Sequence, residues 1–347
     1  MNFVRPQRVC KGFDIMTIPI KGHSTFDELK HCWIGSGFKF EWFKEFTSDT
    51  KILDPLERIA NETEEDLDRL ETILKSVGVI THRSYLDIGK YGNSLKDVWK
   101  IPMTPRDHHA VIGNKFYEVG SRQKGFETVL DNISHDHKVI EHRDDDFSVN
   151  TACLVRLGKD LFWDINEQQT RAANKYIQSF KEQGYRVHVS NRNYHSDGAF
   201  CLVRPGCIIS LNDVQDYQKE FPGWEVLYLP DQSWSKLSPF LNVKDKVKGR
   251  WWIKGEEDND KLIKFVNTWL SDWVGYVEET VFDVNMLSIN PNLVVCNNHN
   301  KQVFDFLKKH KVEPLVFNFR HRYFWDGGVH CITQDLYREG TMEDYLA

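Results

Sequence analysis

The sequence of 347 residues lacks the features that mark several protein classes. No stretch approaches the roughly 20 consecutive apolar residues that span a bilayer, because Arg204 and Pro205 interrupt the most apolar run, residues 200–209. Residues 1–11 contain no apolar core of signal-peptide length. No run of basic residues occurs, and 45 Lys and Arg against 51 Asp and Glu give a net charge of −6. We therefore expect a cytoplasmic protein that binds neither a membrane nor nucleic acid.

Cysteine is scarce and irregularly spaced. The seven Cys residues form no C-x-x-C pair, and an odd number cannot be fully paired. This pattern argues against a small disulfide scaffold and favours reduced thiols, most of them buried as small apolar side chains. Hydrophobic residues at 40% and charged residues at 28% are ordinary for a globular protein. The length fits one large α/β domain or two or three smaller ones.

A hairpin pattern recurs four times between residues 110 and 296. In each copy, a short apolar strand, a tight turn and a second apolar strand follow one another. The turns fall at Gly113-Asn114, Gly158-Lys159, Pro205-Gly206 and Asn290-Pro291. Several hairpins are followed by an amphipathic helix and another strand, with helix caps predicted at Asn166 and Asn300. The repeated ββαβ unit predicts an α/β fold whose units pack around a common centre.

Two other regions are less regular. A helix is predicted from about residue 54 to 77, with Asp54 as its cap and Pro55 in its first position. The aromatic stretch 38–46 is expected to pack on a neighbouring element or on a second subunit. Residues 231–258 interrupt the repeat, which predicts a long surface loop; a lid over the site is the alternative.

Chemically useful side chains occur at similar positions in the repeat. Asp107, Asn150, His195 and Asp197 each precede the first strand of a hairpin, and Cys331 follows Gly327-Gly328 near the end of the chain. If the units surround one axis, equal positions in the repeat converge at one end of it. The sequence therefore predicts a single pocket built from distant segments.

The residue types in this set suggest a reaction at a flat cation. Cys331, as a thiolate, can attack carbon, although its ordinary pKa of about 8.5 leaves only a minority ionised at neutral pH. His195 can move a proton, and the carboxylates of Asp107 and Asp197 can hold a guanidinium by paired hydrogen bonds. Such a substrate carries its own charge, so we expect no metal and no cofactor. The alternatives are a buried structural Cys331, a turn carboxylate at Asp107 and an ordinary loop pair at His195 and Asp197.

A rival pattern lies between residues 132 and 146. Histidines with an intervening acid, His135-Asp136-His137, together with His142 and the acids at 144–146, could bind Zn²⁺. A solvated polar loop explains the same residues, and we favour that interpretation.

The C-terminal segment carries a family resemblance. Gly327-Gly328-Val329-His330-Cys331-Ile332-Thr333, followed by Asp335, Arg338 and Gly340-Thr341, resembles the ending of the glycine amidinotransferases. His195-Ser196-Asp197-Gly198 with Pro205-Gly206, and Pro105-Arg106-Asp107 with Gly113-Asn114, are similar to two further segments of that family. The resemblance covers roughly residues 100–347 and leaves residues 1–50 poorly matched.

The resemblance implies a single domain over residues 1–347, a fivefold pseudosymmetric α/β propeller of the pentein type. It implies transfer of the amidino group of arginine to an amine, glycine in the type reaction, with release of ornithine. Small-molecule substrates are thus the expected partners, and a homodimer is an open alternative to a monomer. By the same carry-over, Cys331 is the nucleophile and His195 the general acid and base.

The remaining site residues follow from the same alignment. Asp107 and Asp197 would hold the guanidinium, with Arg106 and Tyr194 beside the substrate. Asn150 stands where the family has the acid that pairs with the histidine. Further departures are Cys153 in place of a second acid, Tyr194 in place of Met, and Val214 near the position of a substrate-binding Arg. A deiminase-like hydrolase and a non-catalytic guanidine-binding protein are therefore the alternatives.

Overall fold

The computed structural model describes most of the chain. The described residues are 17–86, 101–119, 124–141, 149–165, 167–190, 195–211, 217–229, 253, 255–256, 258–270, 282–325 and 327–347. Of the segment 231–258, only four residues fall in this set. The prediction of a loop or lid there therefore lies outside the described residues, although Ile253 is buried in the core beside the first long helix.

The described strands form five three-stranded sheets of one pattern. In each sheet the central strand is antiparallel to the first strand and parallel to the third. The first strands are β3 (His109–Ile112), β6 (Leu154–Leu157), β9 (Phe200–Arg204), β12 (Leu287–Asn290) and β15 (Thr333–Glu339). The central strands are β4 (Lys115–Val119), β7 (Asp160–Asp164), β10 (Cys207–Leu211), β13 (Leu293–Cys296) and β1 (Glu28–Ile34). The third strands are β5 (Lys138–Glu141), β8 (Arg186–Ser190), β11 (Glu225–Leu229), β14 (Glu313–Val316) and β2 (Ile80–Arg83).

Among the described residues, one α-helix lies between the central and third strand of each sheet, so all five units have the order ββαβ. These helices are α1 (Thr50–Ser76), α2 (Glu127–Leu130), α3 (Glu167–Glu182), α4 (Tyr217–Glu220) and α6 (Lys301–Lys309). Two further helices are α5 (Asp260–Trp269) and α7 (Arg322–Trp325). The mixed α/β class and the four predicted hairpins are confirmed. Asn300 caps α6 as predicted, since its side chain accepts from the backbone N–H of Gln302 and Val303; the cap predicted at Asn166 lies outside the described residues.

The fifth unit joins the two ends of the chain, which the sequence did not reveal. Strand β15, near the C-terminus, pairs with β1, and β1 pairs with β2. Residues 18–25 also connect to the first two hairpins, because Gly22 exchanges backbone hydrogen bonds of 2.8 Å with Gly113 and Gly158 donates to the His23 carbonyl. The poorly matched first 50 residues therefore supply part of the repeat itself.

The first long helix begins earlier than predicted. Asp49, and not Asp54, caps α1 by accepting from the Lys51 backbone N–H at 3.0 Å. Pro55 consequently lies inside the helix, where it cannot donate to the carbonyl of Lys51. The side chain of Asn259 donates to that carbonyl at 2.6 Å instead. A contact from a distant segment therefore permits a proline at a position that local signals favour as a helix start.

The aromatic stretch 38–46 packs on a neighbouring element, as one of its two interpretations predicted. Phe38, Phe40 and Phe43 are buried, and they join the core that α1 and α5 share. Ring contacts support this packing: Phe38 meets Phe43 edge to face with ring centroids 4.8 Å apart, and Trp325 at 5.4 Å.

A buried ionic cluster ties the sheets together. Asp335 on β15 pairs with three guanidinium groups, those of Arg106, Arg156 and Arg338, and all four side chains are at most 2% exposed. Arg156 also donates to the Val111 carbonyl on β3. Arg338 also donates to the carbonyls of Asp27 and Ser288, next to β1 and on β12. Four of the sheets, those containing β3, β6, β12 and β15, therefore meet in one cluster.

The burial of the strands shows which edge of a sheet lies inside the protein. Every residue of β3, β6, β7 and β10 is buried, whereas β8 and β11 are largely exposed or half-buried. The first strands thus lie inside and the third strands outside, so side chains just before a first strand lie near the centre. None of the helices in the described part of the chain is both long and apolar enough to cross a membrane.

Candidate active site

The segment that carries Cys331 turns sharply just before β15. Cys331 itself is 1% exposed. A Cβ atom on Gly327 would lie 2.9 Å from the Cys331 Cβ, and one on Gly328 would lie 2.4 Å from the Asn285 Oδ1. Both distances are too short for a real side chain. The two glycines therefore make room for side chains of the site itself.

The thiol of Cys331 contacts a carboxylate from the middle of the chain. Its Sγ lies 3.6 Å from the Oδ2 of Asp197. Asp197 stands in a short 3-10 helix, Ser196–Gly198, directly before β9. The same carboxylate oxygen lies 2.7 Å from the Nδ1 of His330. The structure thus brings together the His-x-Asp segment and the Cys segment, which are more than 130 residues apart in the chain.

His330 acts in this cluster as a neutral donor. Burial, with repulsion from Arg106, holds the pKa of His330 well below its usual range. The ring is therefore uncharged at neutral pH, and its Nδ1 carries the proton that it donates to Asp197. This contact fixes the orientation of the carboxylate beside Cys331.

Asn285 also contacts the sulfur. Its Nδ2 lies 3.0 Å from the Cys331 Sγ and 3.4 Å from the Asp197 Oδ2, and its Oδ1 accepts from the His330 backbone N–H at 3.1 Å. A second asparagine, Asn297, accepts from the neighbouring Val329 N–H at 2.7 Å. Both asparagines are fully buried. Two amide side chains therefore hold the Cys331 segment by consecutive backbone groups.

The other predicted residues gather around the thiol of Cys153. Burial raises the pKa of Cys153 to about 11; His195 opposes the rise, and the charges of Asp197 and Asp107 add to it. These electrostatic effects require all three side chains to be near Cys153. Asn150 lies in the same place, because its Oδ1 accepts from the Cys153 backbone N–H at 3.0 Å. Asp107, Asn150, His195 and Asp197 therefore all lie near Cys153, and their predicted convergence in one functional pocket stays a prediction.

A cavity lies between the first strands beside this cluster, and of the predicted site residues Arg106 and Asp197 line it. Its lining includes Asp197 and His330, together with Thr151 before β6, Phe200 on β9 and Met286 before β12. Asp107, at the end of the 3-10 helix Pro105–Asp107, has one buried carboxylate oxygen without a hydrogen-bond partner among the described residues.

Arg106 makes contacts within the protein that the sequence did not predict. Its Nε donates to the carbonyls of His330 and Thr333 at 2.7 and 2.8 Å, its Nη1 donates to the Thr151 hydroxyl at 3.1 Å, and its Nη2 pairs with Asp335 at 2.9 Å. These contacts commit the guanidinium to the protein. Arg106 therefore supports the Cys331 segment, and because it also lines the cavity beside Asp197, its place beside the substrate stays a prediction.

Two further predictions concern Tyr194 with Val214 and the rival Zn²⁺ pattern. Tyr194 and Val214 lie outside the described residues. His135, Asp136 and His137 form a 3-10 helix with no buried member, and the Nδ1 of His137 lies 2.8 Å from the Asn114 carbonyl oxygen. The remaining residues of the rival Zn²⁺ pattern are outside the described set, within which no group of three or more His, Cys, Asp or Glu is arranged to hold a metal ion.

The sequence reasoning missed His330, Asn285 and Asn297. Asn285 had a usable signal, because it stands two residues before β12, as Asp107 stands two residues before β3 and Cys331 two before β15. Extending the positional rule to the fourth hairpin would have found it. Asn297 directly follows β13, and no comparable rule pointed to it.

Comparisons with known proteins agree with this site. Inosamine-phosphate amidinotransferase 1 of Streptomyces glaucescens is 24% identical over 203 residues, which are 56% of this chain and 48% of that protein. Mitochondrial glycine amidinotransferase of Xenopus laevis is 22% identical over 205 residues, 57% of this chain and 40% of that protein. This chain is related to the amidinotransferases.

The relationship confirms the family resemblance. The chain spans about half the length, or less, of the curated relatives that it matches. No family model matches the sequence. Among solved structures, an amidinotransferase from Microseira wollei in the saxitoxin biosynthetic pathway has a TM-score of 0.64 and 17% identity. That match covers 94% of this chain and 99% of the other, and it establishes a shared α/β fold.

Proposed function

We propose that this chain is an amidinotransferase that moves the amidino group of L-arginine to an amine through a covalent amidino-Cys331 intermediate. The observation that carries the proposal is the contact of the Cys331 sulfur with Asp197, in a chain related to amidinotransferases. Glycine, the acceptor of the type reaction, is the first acceptor to test. No cofactor is needed, because the substrate supplies the electrophilic carbon and the positive charge.

The proposed reaction balances in two steps. The Cys331 thiolate attacks the central carbon of the guanidinium, the bond from that carbon to the δ-nitrogen breaks, and ornithine leaves with a proton from His195. The amine acceptor then attacks the same carbon, His195 takes the proton that the amine loses, and the carbon–sulfur bond breaks to regenerate the thiolate. Splitting the transfer in this way replaces one difficult step by two easier ones.

The electrostatics of the site support a cationic substrate. In the empty site, the negative Asp197 oxygen at 3.6 Å from the sulfur opposes ionisation of the thiol. A bound guanidinium adds a positive charge beside both groups and reverses this effect. Reaction would thus be coupled to binding, with Asp197 and Asp107 holding the guanidinium. Tyr194 and Asn150 are proposed as neighbours of the bound substrate.

The five ββαβ sheets support a fivefold propeller with this site on its axis. Each sheet has the same strand order, and each places a polar or nucleophilic residue just before its first strand. We propose one domain over residues 1–347 on the same ground, since the fifth sheet combines strands β1 and β2 with strand β15.

Rapid quenching with arginine, followed by mass spectrometry of the whole protein and its peptides, tests the proposal. We expect a mass increase of one amidino group on the Cys331 peptide, absent in Cys331→Ala and retained in Cys153→Ser, which removes the other thiol near the site. Arginine with glycine should then give ornithine and guanidinoacetate. Citrulline and ammonia would indicate a hydrolase instead, and arginine binding without any adduct would indicate a non-catalytic protein.

A further inference from the structure

We propose that Asn285 is a functional residue of the site, whose side-chain amide donates a hydrogen bond to the Cys331 sulfur and stabilises the reactive thiolate. The proposal rests on the proposed function only for the reaction that the thiolate performs. The contact itself is in the structure, because Asn285 is 0% exposed and its Nδ2 lies 3.0 Å from the Sγ.

The orientation of the amide follows from its partners. The Asn285 Oδ1 lies 3.1 Å from the backbone nitrogen of His330, which can only donate. The oxygen must therefore face that N–H, and the nitrogen must face the sulfur. The two amide hydrogens have two acceptors, since the Asp197 Oδ2 lies 3.4 Å from the same nitrogen. A flipped amide would set its oxygen against the Asp197 carboxylate and its nitrogen against a donor.

The donated hydrogen bond has a definite effect on the thiol. A hydrogen bond to the charged form of a group favours that form, and such bonds are stronger to an ion than to a neutral acceptor. Asp197 opposes a negative sulfur at 3.6 Å. Asn285 supplies an N–H dipole aimed at the same atom, and it thereby offsets part of this repulsion. Both effects are large in a buried site, where water does not screen them.

Asn297 provides a matched control. It is also buried, and its Oδ1 also accepts from a backbone N–H of the segment, that of Val329, at 2.7 Å. Its Nδ2 donates to the backbone carbonyls of Phe282 and Asn285. The two asparagines therefore share residue type, burial and segment, while Asn285 donates to the sulfur and Asn297 to carbonyls.

The test measures the Cys331 thiol without any substrate. Iodoacetamide is applied to wild type, Asn285→Asp, Asn285→Ala and Asn297→Asp across the pH range, and the rate at Cys331 is read from its peptide by mass spectrometry. Asn285→Asp retains an acceptor for His330 but puts a carboxylate beside the sulfur. We expect its pH midpoint to rise by roughly one unit or more, and that of Asn285→Ala to rise less. Asn297→Asp should keep the wild-type midpoint.

The outcomes separate this inference from the proposed function. A higher midpoint in the Asn285 variants alone supports the inference, even if arginine forms no adduct and the proposed transfer fails. Unchanged midpoints in both Asn285 variants, or an equal shift in Asn297→Asp, would overturn it, because the asparagines would then act only by holding the segment. Thermal melting identifies variants that do not fold; Asn285→Ala, which adds no charge, then decides the question alone.

Discussion

Asp197 and Asp335 are two buried carboxylates close to the segment that carries Cys331, and the groups around them differ. Asp335 is surrounded by the guanidinium groups of Arg106, Arg156 and Arg338. The donors that the structure shows around Asp197 include a neutral imidazole, an amide and a thiol. Both side chains are at most 4% exposed. Burial is thus similar, and the charge of the partners differs.

This difference matches two roles: Asp335 stabilises the fold, and Asp197 is proposed to take part in the reaction. Burial alone would keep Asp335 protonated, but Arg156, Arg338 and Arg106 hold its pKa well below the usual range, so its charge is balanced by the protein. The imidazole of His330 and the amide of Asn285 donate to Asp197 without adding a positive charge. Arg106 links the two regions, since it pairs with Asp335 and also donates to the carbonyl of His330. The ionic cluster therefore supports the segment from which Cys331 and His330 reach Asp197.

The largest expected effect is that of Asp335→Asn on stability. The change leaves three buried guanidinium groups without their carboxylate, and breaking a buried pair in this way typically costs about 3–5 kcal/mol. Urea denaturation should show that loss in the free energy of unfolding. Asp344→Asn is the control, because Asp344 pairs with Arg186 at the surface of the same C-terminal region; it should cost much less than Asp335→Asn, because exposed ion pairs contribute little. Equal losses in the two variants would contradict a structural role for the cluster.

Asp197→Asn should act on the reaction more than on the fold. The variant keeps the shape of the side chain but removes the charge beside Cys331 that is proposed to hold the guanidinium. We expect kcat/KM for arginine to fall about 10²- to 10³-fold, with a change in unfolding free energy well below that of Asp335→Asn. Steady-state kinetics and urea denaturation of the same preparations check both parts. If Asp197→Asn lost as much unfolding free energy as Asp335→Asn, the two carboxylates would not differ in their importance for stability.

Local signals in the sequence were sufficient for the hairpins and for placing several candidate site residues near one another. Turn residues such as Gly113 and Gly158, which adopt positive φ, mark the strand pairs, and a repeated position in the unit gathers Asp107, His195 and Asp197 in one place. What could not be predicted depends on distant partners. The Lys51 carbonyl below Pro55 is satisfied by Asn259, and β1 finds its partner, β15, at the opposite end of the chain. Neither contact leaves a periodic pattern.

The role of Arg106 illustrates the same limit within the site. The motif Pro105-Arg106-Asp107 suggested substrate contact for both charged residues. The choice between substrate and protein depends on Asp335 and on the carbonyls of His330 and Thr333, more than 220 residues away in the chain. The sequence pattern identified the segment. Only the packing of the buried charges showed that Arg106 contacts Asp335 and the two carbonyls.

The smallest expected effect concerns the dependence of stability on pH. Asp335, with its pKa well below the usual range, stays ionised between pH 7 and 5. Burial, with repulsion from His31, lowers the pKa of His82 to about 4. Because the unfolded chain binds this proton near pH 6.5 and the folded chain only near 4, the free energy of unfolding falls as pH falls through that window. We expect His82 to account for about 1–2 kcal/mol, after screening by solvent.

Urea denaturation between pH 7 and 5 measures this contribution. His82→Gln retains a hydrogen-bond partner for the Nδ1 of His31, 3.0 Å from the His82 Nε2, and it should flatten the pH dependence. His135→Gln, which replaces an exposed imidazole, should leave the slope of the wild type. The decisive comparison is with Asp335→Asn, which should lower stability equally at both pH values. If Asp335→Asn instead flattened the dependence of the unfolding free energy on pH, Asp335 would titrate in this range. It would then not stay charged within the ionic cluster.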